Sequence, residues 1–398
     1  MKQKYALLVG DGMADFPVSE LGGKTPLAYA NTPHMDSIAR NGTIGLVATI
    51  PEGLPPGSDV ANLSLMGYDP SRYYSGRAPI EAASMEVKLS PSDTAFRCNL
   101  VTIVDRRMAD YSAGHIETEE SHAIVHLLKT GLDDATISFY PGVSYRHLLV
   151  VHDFPTGCIC TPPHDISGKE IAIHLPKGPG SDLLMTIMEK ARPILKKAKI
   201  NVERINRGKS PATDIWLWGH GRAVTLPTLQ ERYSLSGSVI SAVDLVRGLG
   251  VLAGMKVRIV KGATGYLGTN YAGKIAAARA ALAEEDFVFL HVEAPDETSH
   301  EGSLQKKITA IEEFDKNIVG EMLKIQKDIA NLQILVTPDH ATPVSLKTHH
   351  AAPVPYTACG MGIYPEDISS YCEKTAAGKP VYSGPQLFDR LINGNLQS

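Results

Sequence analysis

Three short apolar runs in this chain each end in acidic residues, and that coincidence constrains the fold more than any other feature. Tyr5 to Val9 (YALLV) leads into GDGMAD with Asp11. Asp286 to Val292 (DFVFLHV) leads into EAPDETSH with Asp296 and His300, and Leu332 to Val336 (LQILV) leads into TPDHATP with Asp339 and His340. Continuous apolar runs of this length read as strands buried on both faces. Between them lie helical patterns, the alanine-rich Asn270 to Leu282 and the periodic stretch Ser303 to Ile329. This alternation predicts an α/β fold, a mostly parallel sheet between helices, with ligands at the carboxyl ends of the strands.

The three acidic segments would then converge on one sheet edge, joined by His349 from THHAAPVP. Aspartate and histidine without cysteine suit Mn²⁺, Zn²⁺, Fe²⁺ or Co²⁺ rather than a structural zinc or a calcium cage. Taken singly, an aspartate after a strand is more often a helix cap or turn former, and a DH pair more often a turn. Three such segments at three strand ends are hard to obtain from capping alone. The glycines of GDGMAD do not make a dinucleotide loop, because Asp11 stands where a pyrophosphate needs backbone donors.

A metal site of this kind needs a nucleophile, and Gly57-Ser58-Asp59-Val60-Ala61-Asn62 offers one. Ser58 follows a Pro/Gly-rich loop and precedes a helix start, where backbone amides favour an anion and a metal could generate the alkoxide. The residues alone fit a plain N-cap equally well.

At 398 residues the chain exceeds what one core usually holds, so two domains are expected. The segment from about Ser90 to Gly208 has its own rhythm: strand Ala95 to Val104, helix Glu117 to Leu128, strands Thr136 to Tyr140 and Arg146 to His152, helix Ser181 to Lys197, and a last strand near Asn201 to Ile205. That βαββαβ order predicts a small ferredoxin-like α+β domain. It would be inserted at 90–208 into a discontinuous core of 1–89 and 209–398. A net charge of −4 argues against nucleic acid or an acidic membrane as the main partner. No run reaches the roughly 18 apolar residues of a membrane span and none resembles a signal-peptide core, so a cytoplasmic protein is expected. Cys98, Cys158, Cys160, Cys359 and Cys372 form no CxxC pair, which favours buried or idle thiols.

GDGMAD, PPGSDVANLSLMGYDP, YYSGRAPIEAAS, PHDISGK, WLWGHGR, KGATGYLGTNYAGK, EAPDETSH, TPDHATP and HHAAPVPY together resemble the archaeal-type 2,3-bisphosphoglycerate-independent phosphoglycerate mutases of the alkaline phosphatase superfamily. The resemblance spans essentially the whole chain; TPDH is shared across the superfamily, whereas GSDVANLSLMGYDP and WLWGHGR are specific to this branch. It implies an alkaline-phosphatase-like core and two divalent metal ions, Mn²⁺ in first place with Mg²⁺, Co²⁺ or Zn²⁺ as alternatives. One ion would be held by Asp296, His300 and His349, the other by Asp11, Ser58, Asp339 and His340. His350 departs from the threonine that relatives often carry there, which leaves the choice between His349 and His350 open, with the following Pro353-Val354-Pro355 favouring His349.

The same resemblance implies that Ser58 takes the phosphoryl group from 3-phosphoglycerate and returns it as 2-phosphoglycerate, with no 2,3-bisphosphoglycerate required. The inserted domain would act as a substrate-binding lid that keeps water from the phosphoserine. His115, Arg77, Arg146, His164, Lys169, Arg222 and Lys274 are its candidate substrate contacts, with Lys274 the preferred phosphate partner in the core. For Arg146, His164 and Lys169 a solvated surface role fits as well. The remaining histidines, His291 among them, read as structural. Competing readings on the same metal set are a phosphatase, another phosphomutase, a small-alcohol phosphotransferase of the homoserine-kinase kind, or a metal-stabilised binding protein. A sulfatase is disfavoured because SDVAN lacks the SxPxR pattern. Oligomeric state is not legible in the sequence.

Overall fold

All three apolar runs are strands, side by side at the centre of one sheet. A computed structural model of the chain describes residues 2–397. Its strands run β1 (Lys4–Gly10), β2 (Gly42–Ala48), β3 (Thr94–Val104), β4 (Arg107–Asp110), β5 (Ile137–Tyr140), β6 (Arg146–Val151) and β7 (Asp214–Arg222). They continue as β8 (Gly237–Ile240), β9 (Lys256–Val257), β10 (Phe287–Val292), β11 (Leu332–Thr337), β12 (Val354–Cys359) and β13 (Val381–Ser383). The chain divides into two compact units, Met1–Tyr74 with Thr225–Ser398, and Ser75–Val224.

In the first unit the sheet order is β13-β2-β12-β11-β1-β10-β8-β9. β1 lies between β10 and β11, parallel to both, and β8, β9 and β13 also pair in parallel. Only the β11–β12 and β12–β2 ladders among these are antiparallel, so the sheet is mostly parallel as its apolar runs predict. Register sets Gly10 opposite Val292 and Val9 opposite Thr337, which brings the three acidic segments out at the same height.

The helical stretch beginning at Ser303 is Leu304–Phe314, a π-helical turn Asp315–Val319, and Gly320–Asp328. The wider turn presents buried Asp315 to the start of the helix Pro33–Arg40, where its carboxylate accepts from Met35 N (2.7 Å) and His34 N (3.2 Å). A distant acid thereby supplies the cap that Thr32 does not make.

The second unit holds an antiparallel sheet in the order β7-β3-β6-β5, with β4 folded back on the far end of β3. The helices Thr118–Leu132 and Ser181–Lys197 follow β3 and β6 in the chain, completing the ferredoxin-like βαββαβ order.

Two expectations need correction. The last strand of this unit is β7, not Asn201 to Ile205, which lies in the helix Lys199–Asn206. There the polar residues point inward: the Asn201 amide donates to Leu195 O and Ala212 O, and buried Arg204 donates to Ser210 O and Ala113 O and pairs with Glu120. Val202 and Ile205 are exposed, so the apparent alternation was not a core signal. The boundaries also fall outside 90 and 208. The helix Arg77–Ser84 joins this unit, with Glu81 salt-bridged to Arg97 of β3, and WLWGHGR supplies β7.

The five cysteines are free thiols, four of them buried. No helix among the described residues is long and apolar enough to cross a membrane.

Candidate active site

Asp11 follows β1, Asp339 and His340 follow β11, and Asp296 and His300 lie one turn apart on the short helix Ala294–His300 after β10. Gly12 makes this convergence possible. Its φ is +61°, and an added Cβ would stand 2.5 Å from Asp296 Oδ1 and 2.6 Å from Thr342 Oγ1. Left-handed backbone combined with that clash makes Gly12→Ala costly by about 1–3 kcal/mol. Denaturant unfolding should show that loss together with weaker metal binding, and an unchanged midpoint would contradict it.

One group consists of Asp296, His300 and His349. Nε2 of His300 lies 3.1 Å from Asp296 Oδ2 and 3.0 Å from His349 Nε2, and His349 Nε2 is 3.6 Å from the same carboxylate oxygen. His300 Nδ1 donates to the Lys347 carbonyl (2.9 Å), so in the neutral ring the lone pair is on Nε2, aimed at the other two. Two imidazole nitrogens and a carboxylate oxygen crowded in this way fit a bound cation. His349, not His350, faces the cluster: His350 packs edge-on against Phe16 and accepts from Ala352 N.

The other group is Asp11, Asp339 and His340, fully buried, with half-buried Ser58 at its open side. His340 Nε2 lies 3.1 Å from Ser58 Oγ, 3.4 Å from Asp11 Oδ1 and 3.5 Å from Asp339 Oδ2. Ser58 is the first residue of the helix Ser58–Leu65, whose N-cap is Gly57, so its hydroxyl is turned to the cluster and does not cap the helix. One turn on, Asn62 donates to both Ser58 O and Asp339 Oδ2 (2.8 Å each) and ties the helix to the strand end. Asp339 Oδ1 accepts from Gly12 N and His340 N. Thr342 joins the two groups, donating to Asp296 Oδ1 (2.5 Å) and accepting from His340 Nδ1 (3.1 Å).

The electrostatics ask for added positive charge. Burial, with Asp339, Asp296 and Glu293 nearby, raises the Asp11 carboxyl well above the usual range, and its Oδ1 is buried without a hydrogen-bond partner among the described residues. Burial would also raise Asp296, but the hydrogen bonds from His300 and His349 prevail and hold it well below that range. The Asp296 contact lifts His300 to about 9. A cluster of acids with an orphaned carboxylate oxygen and inward histidine nitrogens fits divalent metal ions, as its donor set does.

The second unit carries a basic cluster of its own. Glu81 faces Arg77, Arg97 and Arg146, and its carboxyl is held low by them against the effect of burial. Arg97, nearly fully buried, stacks 4.3 Å from the Trp218 ring and is pushed down to about 10 by burial, with Glu81 opposing. Rings then run in contact from Trp218 through His164, Tyr111, His115 and Tyr145, and Arg146 lies over Tyr145. Arg77, Arg146, His115 and His164 are thus brought together.

The other three candidates go elsewhere. Lys169 folds back on the Asp165 carbonyl, and Arg222 donates to the Phe154 carbonyl. Lys274, expected to hold phosphate, is 1% exposed, and its ammonium donates inward to His291 O (2.7 Å). Burial lowers it to about 8 against the pull of Glu293. It supports the end of β10 in place of facing a ligand.

Asn62, Thr342, His291 and Arg97 escape the sequence reading. His291 is completely buried with Nε2 3.0 Å from Asp11 Oδ2. Its signal was available, a histidine inside an otherwise apolar strand two residues before the acidic segment.

A family model described as 2,3-bisphosphoglycerate-independent phosphoglycerate mutase matches residues 39–201, which include Ser58 and much of the second unit. A protein of that name from Methanothrix thermoacetophila is 50% identical over 394 residues, 98% of this chain and 100% of its own. The chain belongs to the 2,3-bisphosphoglycerate-independent phosphoglycerate mutase family. A family member from Methanosarcina barkeri is 55% identical over 89% of each chain. Among solved structures, a Pyrococcus horikoshii protein superimposes with a TM-score of 0.85 at 30% identity, covering 100% of this chain and 98% of that one. A cofactor-independent phosphoglycerate mutase from Thermoplasma acidophilum gives 0.67 at 26% identity, over 99% of this chain and 100% of its own.

Proposed function

We propose that this member of the mutase family interconverts 3-phosphoglycerate and 2-phosphoglycerate through a phosphoserine at Ser58, with two divalent ions, Mn²⁺ in first place, and without 2,3-bisphosphoglycerate. The observation that carries the assignment of Ser58 is its hydroxyl, 3.1 Å from His340 Nε2 at the open side of the buried Asp11–Asp339–His340 group. Asp296, His300 and His349 would hold one ion, and Asp11, Ser58, Asp339 and His340 the other. When bound, such ions lower the pKa of a coordinated hydroxyl and offset charge on the phosphoryl oxygens.

Ser58 Oγ gives up its proton and attacks the phosphorus of 3-phosphoglycerate; the bond to the 3-oxygen breaks and that oxygen takes a proton. The glycerate turns, its 2-oxygen loses a proton and attacks the phosphoserine, and Ser58 regains its hydrogen. No water is consumed. The amide end of the helix Ser58–Leu65 favours the anion at this point. Asn62 holds that helix end to Asp339. In the inserted unit Arg77, Arg97, Arg146, His115 and His164 are the proposed grip on phosphate and carboxylate, which is why we read that unit as a substrate-binding lid that excludes water.

The test supplies 3-phosphoglycerate with Mn²⁺ and follows 2-phosphoglycerate and free phosphate together. Formation of 2-phosphoglycerate without phosphate release, lost on chelation and indifferent to added 2,3-bisphosphoglycerate, is the expected outcome. Phosphate appearing at the rate of substrate loss would rule the mutase reading out.

A further inference from the structure

His291 stands among the metal-facing residues, close enough with Asp11 and Asp339 to form a ligand set of its own. Hydrogen-bond partners separate it from the other histidines. Lys347 O can only accept, so a neutral His300, the form that binds a cation, carries its hydrogen on Nδ1 and turns the lone pair of Nε2 to the cluster. Thr342 has its own hydrogen committed to Asp296, so it accepts from His340 Nδ1, and Nε2 of His340 is likewise bare toward Ser58.

At His291 the order is reversed. Ser241 Oγ accepts from Val243 N (3.0 Å) and lies 3.3 Å from His291 Nδ1. An ionised Asp11 carboxylate can only accept, so Nε2 carries the hydrogen donated to Asp11 Oδ2 (3.0 Å), and Nδ1 is left to accept the hydrogen of Ser241 Oγ. The backbone is fixed as well: Lys274 Nζ holds the His291 carbonyl, and Arg247 Nε holds the Ser241 carbonyl (2.8 Å).

We infer that His291 is a positioning residue and not a metal ligand: it occupies Oδ2 of Asp11 and thereby presents Oδ1 alone to the ion. That oxygen is the one buried without a hydrogen-bond partner among the described residues, 3.4 Å from His340 Nε2. The Ser241–His291–Asp11 chain makes Asp11 a one-oxygen ligand and sets the affinity of the ion beside Ser58. Loss of such an outer partner lowers metal affinity about 10–100-fold.

The inference rests on the two-ion reading above, so the experiment measures binding rather than turnover. Mn²⁺ is titrated into the full chain by calorimetry and by electron paramagnetic resonance, with the parent, His291→Gln, His291→Leu and Ser241→Ala. The glutamine amide can still donate to Asp11 Oδ2, so His291→Gln is expected to bind two ions nearly as the parent does. His291→Leu should still take up two ions, one of them about 10–100-fold more weakly, and Ser241→Ala should shift the same ion in the same direction. Equal affinity in His291→Leu and the parent would overturn the inference. So would loss of one ion in both His291 variants, which would make the ring a ligand. A parent chain that bound fewer than two ions would instead overturn the metal reading itself. Because Ser241 touches no metal-facing carboxylate, its variant keeps the inference testable should His291→Leu fail to fold.

Discussion

Ser58→Ala is expected to abolish mutase turnover while leaving the fold intact. The two effects separate because Gly57, not Ser58, caps the helix Ser58–Leu65, so alanine at this first position removes no capping hydrogen bond. Alanine is also the best helix former, and the change in unfolding free energy should stay within about 0.5 kcal/mol. On the proposed mechanism catalysis loses its nucleophile outright, and the phosphoryl group has no acceptor on the protein. Isotope-labelled 3-phosphoglycerate should label the parent chain transiently and leave Ser58→Ala unlabelled. Turnover within about tenfold of the parent would assign the phosphoryl acceptor elsewhere.

The largest effect on stability is expected from Lys307→Met. Lys307 is completely buried, and its ammonium meets Asp15 Oδ2 (2.8 Å), Thr342 O (2.9 Å) and Ala14 O (3.1 Å). It thereby joins the loop after β1 to the loop after β11. Burial lowers its pKa, with Asp15 opposing. Methionine fills similar space but leaves the Asp15 carboxylate buried with its cation gone, which costs about 3–5 kcal/mol. Adding Asp15→Asn should recover part of that loss, since the stranded charge is removed with its partner. Urea unfolding of the two single variants and the double variant measures both terms. A loss below about 1 kcal/mol in Lys307→Met would show that the pair is not a net contributor. Because Thr342 bridges the two candidate metal-binding groups, the same variant should also bind Mn²⁺ more weakly.

Much of the catalytic unit is visible in the sequence because its determinants are local. A buried parallel strand must be apolar throughout, and a strand end facing a ligand can afford aspartate and histidine, so Asp11, Asp296, His300, Asp339 and His340 are marked by position alone. His349 and Ser58 are less visible, since neither ends a long apolar run, and their assignment leaned on resemblance. Asn62, Thr342 and His291 are invisible for another reason: their partners Asp339, Asp296 and Asp11 lie far along the chain, and pairing emerges only when the strands align. Lys274 shows the opposite error. A lysine near a helix start reads as a solvent-facing cation, yet tertiary packing turned it to a backbone carbonyl. Asn201 and Arg204 mislead for the same reason, because buried polar side chains that satisfy backbone groups imitate a surface.

In the inserted unit β3 and β7 are neighbours, with Thr94 opposite Arg222, and Ser75 Oγ donates to the Arg222 carbonyl at 2.8 Å. Its two ends therefore leave side by side. Once this unit has folded, the segment before it and the segment after it are joined by what amounts to a tight turn. Closing a chain loop costs only about 0.6 kcal/mol more for each doubling of its length, so even an unstructured insertion would weigh little at equilibrium. The greater consequence is for the search: β1 must find β10 and β11 from the opposite end of the sequence, and paired ends take the whole insertion out of the distance to be explored.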